Sequence, residues 1–131
     1  MSDLIKDAAN RASAFLASVE SRRVAPDAAA LQQMQRLSQP LQPESRSAAQ
    51  VLEELDRLGS PATVACTGGR YFGFVTGGAL PAALAANMLA TVWDQNAGMA
   101  IGSPIGAHLE RVCREWLVSL LDLPRETESV S

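Results

Sequence analysis

Residues 70–104 read RYFGFVTGGALPAALAANMLATVWDQNAGMAIGSP, and the reading of this stretch decides what kind of chain this is. From Tyr71 to Leu109 the sequence carries one formal charge, Asp94, in a chain that is 19% charged as a whole. Such a segment is too apolar to be a solvated linker, and it contains glycine turns and helix-start signals, so it is not a featureless apolar run. We expect it to be the buried centre against which the flanking helices pack. Pro81 suits the first turn of a helix. Leu84, Met88 and Val92 then fall on one helical face, and Ala85, Leu89 and Trp93 on the next. Alanines fill much of the remainder, so neighbours can approach closely all round. Asn96-Ala97-Gly98 is expected to end this helix, and residues 98–102 to form a glycine-flanked apolar loop.

Working outward, Ser103-Pro104 opens a last helix, with serine at the cap and proline at the first position. Ile105, Leu109, Val112, Trp116 and Leu120 form its apolar stripe. Glu110–Arg114 and Arg111–Glu115 are expected i,i+4 pairs on its wet side. Leu123-Pro124 ends it. On the other side of the central stretch, Ala62–Cys66 and Tyr71–Val75 are short and rich in β-branched or aromatic residues, and each leads into Thr-Gly-Gly. They are expected to be extended segments or a loose hairpin.

The N-terminal part is helical by pattern. Over residues 3–20, Ala8, Ala12, Phe15 and Val19 repeat at helical spacing, leaving Lys6, Asp7, Arg11 and Glu20 wet. Pro26 breaks the pattern, and Asp27 is expected to cap a short second helix carrying Leu31, Met34 and Leu37. Residues 38–45, with Pro40 and Pro43, form a linker. A third helix over residues 47–58 carries Val51, Leu52, Leu55 and Leu58, with Glu53–Arg57 as an outward pair. Gly59-Ser60-Pro61 stops it. The expected fold class is therefore mainly α: about five helices and a possible short hairpin. The expected segments are a helical arm over 1–59, a helical and loop segment over 60–124, and a polar tail over 125–131. No βαβ alternation is present, so no α/β cofactor domain is expected within these residues.

Composition narrows the function classes. A chain of 131 residues with net charge −3 has no basic patch to hold a phosphate backbone, so nucleic acid is a poor partner. The longest apolar run is shorter than the roughly 18–20 residues that a membrane span needs. The N-terminus has no basic region followed by an apolar core. Cys66 and Cys113 make neither a disulfide framework nor a zinc site, which fits a reducing cytoplasm.

The blocks Tyr71-Phe72-Gly73-Phe74-Val75-Thr76-Gly77-Gly78-Ala79-Leu80-Pro81, Trp93-Asp94-Gln95-Asn96 and Ser103-Pro104, in this order, resemble the N-terminal region of group II pyridoxal-phosphate-dependent amino acid decarboxylases. These are the lyases that include the aromatic amino acid and glutamate decarboxylases. The resemblance spans nearly the whole chain and is densest from Ser60 to Pro124. It implies a longer, fold-type I enzyme acting on an amino acid with pyridoxal 5'-phosphate. It also implies a homodimer in which N-terminal helices wrap the neighbouring subunit. It places Phe74, Val75 and Thr76 near the substrate side chain, and Asn96 and Gly98 near the partner's active site. Against these roles stands ordinary structure, with Phe74 and Val75 in a core and Thr76 and Asn96 as turn and cap residues.

The resemblance gives no catalytic, cofactor-binding or metal residue within these 131 positions. The Schiff-base lysine, the ring-stacking histidine and the phosphate-binding residues of such enzymes lie downstream. Lys6, the one lysine, is expected on an exposed helix face, and His108 is expected to be a surface or packing residue. Gly77-Gly78 is expected to be a tight turn rather than an anion cradle. Asp94 is expected to bond backbone or a downstream residue. The alternative to an enzyme segment is a free-standing helical module that dimerises or binds a decarboxylase.

Overall fold

The computed structural model describes residues 1–76 and 78–124. The chain is mainly helical, with five α-helices and no strand among the described residues. It divides into two compact units, Met1–Ala79 and Leu80–Ser131.

The first unit holds α1 (Ser2–Ser18), α2 (Ala28–Met34) and α3 (Ala48–Gly59). Their starts follow the local chemistry. The Asp27 carboxylate accepts from the Ala30 amide at 2.8 Å and caps α2. Ser47 and Gln50 form a capping box on α3, which satisfies two amides the helix cannot bond internally. Residues 35–37 tighten into a 3-10 turn after α2. Helix α3 ends at Gly59, as expected. Gly59 stays right-handed at φ −84°, and the chain runs on into a 3-10 turn, Ser60–Ala62, with Pro61 in its first turn. Proline is at home in a first turn, where its missing N–H is not needed, so it reshapes the helix end without forcing a left-handed glycine.

Helix α1 packs on α3, and α2 on α3. Val19, Leu58 and Ala65 are the buried apolar residues of this unit. The α1 contact also contains a charge that the pattern assigned to solvent. Arg11 donates to both oxygens of Asp7 at 3.1 Å and to Asp56 of α3 at 3.0 Å. It takes a place in the seam because two carboxylates meet it there. Those two bonds, Asp56 first and Asp7 second, hold the guanidinium above its already high ordinary pKa. The expected Glu53–Arg57 pair is not among the ion pairs of the described residues, whereas Glu54 pairs with Arg46.

The segment after α3 is tied back by backbone and arginine bonds rather than strand pairing. The Ala65 amide donates to Val24 O at 2.9 Å, and Arg22 donates to Ser60 O at 2.5 Å while lying 4.3 Å from the Phe15 ring centre. Arg70 donates to Val19 O and Arg22 O at 3.2 and 2.5 Å. The expected hairpin of 62–66 and 71–75 is therefore absent: these donors and acceptors are used by loops and turns. Gly68 fits a gap that nothing larger fills, since a Cβ there would lie 2.7 Å from Val19 Cγ1.

The second unit holds α4 (Pro81–Trp93) and α5 (Pro104–Leu120). Pro81 and Pro104 open them as expected, and Ser103 Oγ accepts from the Gly106 amide at 3.1 Å. Helix α4 ends earlier than expected, at Trp93, because Asp94 turns left-handed at φ 49°. Aspartate tolerates that region better than most residues. Its side chain is exposed and faces water rather than bonding backbone. Arg111 turns to His108 Nδ1 at 2.8 Å instead of pairing with Glu115.

The central expectation fails here. The stretch from Arg70 to Pro104 is not a buried centre: Ser103 is its buried residue, and no residue of α4 is buried. Within the second unit, neither helix covers the other: α4 and α5 do not pack on one another along their lengths.

Candidate association surface

The most unusual feature is apolar surface left in water. Along α4, Leu84, Met88, Leu89, Val92 and Trp93 are 37–60% exposed. On α5, Ile105, Leu109, Trp116 and Leu120 are 43–80% exposed. Full burial of a Leu, Met or Val stabilises by about 1.5–3 kcal/mol, so the uncovered halves of Leu84, Met88, Leu89 and Val92 leave roughly 4 kcal/mol unrealised on α4 alone. An isolated helix of this length is marginal in water and draws its stability from packing. Exposed apolar surface of this kind is what protein or ligand surfaces commonly cover. Helix α4 presents no ionised side chain, so nothing on it repels an apolar partner.

Two loops carry the five residues that the resemblance assigned to a substrate pocket, one loop in each unit. In the first, the Thr76 amide and hydroxyl both reach Gly73 O, at 3.3 and 3.1 Å. This closes a turn whose central residues, Phe74 and Val75, are both left-handed, at φ 54° and 56°. Such turns favour Asn and Gly, and a β-branched valine there is strained. The turn projects its side chains outward: Phe72 and Phe74 are each 94% exposed and Val75 is fully exposed. Phe74 and Val75 are thus not core residues, while Thr76 does serve as a turn residue.

In the second unit, Asn96 Oδ1 accepts from the Gly98 amide at 3.1 Å. The Met99 carbonyl accepts from the Gly102 and Ser103 amides at 2.9 and 3.0 Å. The loop leads directly into the buried Ser103 cap, so Asn96 and Gly98 belong to a folded connection between α4 and α5. Asn96 acts as a turn residue just past the helix end rather than as part of its last turn.

The groups that could do chemistry are dispersed. Lys6 is exposed and lies 3.7 Å from Asp3 in an i,i+3 ion pair. A Schiff-base lysine needs a desolvated or cation-flanked pocket, so the residues described do not fit pyridoxal phosphate. His108 is exposed on α5. No cluster of three or more His, Cys, Asp or Glu that could hold a metal ion occurs among the described residues, and no described helix is long and apolar enough to cross a membrane. The Glu54 carboxyl is held below its ordinary range, chiefly through its hydrogen bond from Arg46.

Sequence patterning found α4 and its apolar faces but placed them inside the molecule. The left-handed turn at Phe74-Val75 was not foreseen, because neither residue type signals that conformation. No family model, no curated protein and no solved structure matches the chain.

Proposed function

We propose that this chain is the N-terminal segment of a pyridoxal-phosphate-dependent amino acid decarboxylase, a cytoplasmic lyase, and that it supplies subunit contacts and pocket lining rather than catalytic groups. The observation that carries the contact role is the uncovered apolar surface of α4. The enzyme context rests on the resemblance through residues 71–81, 93–96 and 103–104. In this reading α4 and α5 are covered by a second copy in a homodimer. The exposed turn at Phe74–Thr76 and the loop holding Asn96 and Gly98 then meet apolar or substrate surface in the assembled protein. In this reading pyridoxal 5'-phosphate is held by other residues of the longer enzyme, and to the substrate pocket this segment contributes only lining.

The same uncovered apolar faces of α4 and α5 support a second reading, in which the chain is a free-standing, non-catalytic helical association module. One experiment separates the two. The native protein is captured from its source cells with an antibody against residues 1–60, and its intact mass and visible absorbance are measured. The enzyme reading predicts a mass several times 13.9 kDa and an absorbance band from lysine-bound cofactor. A mass of 13.9 kDa with no such band would overturn it and leave the association module.

A further inference from the structure

We draw no further inference here: the strongest candidate, the uncovered apolar face of α4 formed by Leu84, Met88, Leu89 and Val92, belongs to the association surface already described, and nothing else in the structure shows what covers it.

Discussion

Replacing Gly68 by alanine tests the packing of the first unit at its tightest point. The added methyl would sit 2.7 Å from Val19 Cγ1, well inside van der Waals contact, with Ala65 O and Val19 O at 3.5 and 3.6 Å on other sides. Val19 is buried at 6% exposure, and a β-branched side chain has little rotamer freedom with which to move aside. Overpacking of this kind costs about 1–3 kcal/mol. An opposing effect must be weighed. Gly68 has no positive φ, so alanine can adopt its backbone and lowers unfolded-state entropy, a gain of about 0.4–1 kcal/mol. The steric cost is larger, so Gly68→Ala should destabilise by roughly 1–2 kcal/mol, or about 5–15 °C in Tm for a unit of this size. Urea denaturation followed by circular dichroism measures the total, and amide exchange in α1 and α3 assigns it to this unit. Shortening the obstructing side chain supplies the control. The double variant Gly68→Ala, Val19→Ala should lose less stability than the sum of the two single variants, with a coupling of at least about 0.5 kcal/mol in the double-mutant cycle. Unchanged stability in Gly68→Ala, or strict additivity in the cycle, would refute the packing argument.

Three further outcomes are expected. Ser103→Ala removes the cap of α5 and leaves the Gly106 amide without its acceptor; it should cost about 1 kcal/mol and speed exchange in the first turn of that helix. Val75→Gly should be neutral to stabilising by up to about 1 kcal/mol in thermal melts, since relief of a left-handed β-branched residue outweighs glycine's extra unfolded-state entropy. Glu54 has a depressed pKa in the folded state, so its pairing with Arg46 contributes above the ordinary carboxylate range and is lost as pH falls through the folded pKa. The stability difference between the parent chain and Glu54→Gln should therefore be present at neutral pH and shrink in acid, as read from denaturation at several pH values.

The helices were legible because their signals are local. Asp27 and Ser103 each cap the helix they were expected to cap, and Pro81 and Pro104 open theirs. What was not legible depended on partners. The pattern marks α4 as apolar on several faces but cannot say whether its cover comes from the same chain, and in the structure no residue of it is buried. Arg11 reads as a wet residue until α3 brings Asp56 to it. The hairpin failed for a related reason: β-branched and aromatic residues favour strands where a neighbouring strand exists, and around residues 62–75 the bonding goes instead to Val24, Ser60 and the two arginines Arg22 and Arg70. Of the pocket residues, Thr76 and Asn96 could be read as turn formers from their side chains. The exposure of Phe74 and Val75 could not, because apolar residues are ordinarily read as buried.

The central claim is that α4 is one half of an interface. Sedimentation equilibrium of the chain over a range of concentrations tests it most directly, alongside a Leu89→Glu, Val92→Glu variant. The account predicts a parent species of twice 13.9 kDa that dissociates on dilution, and a variant that stays single at the same helical content. A parent chain that remains at 13.9 kDa at every concentration, with α4 helical, would contradict it.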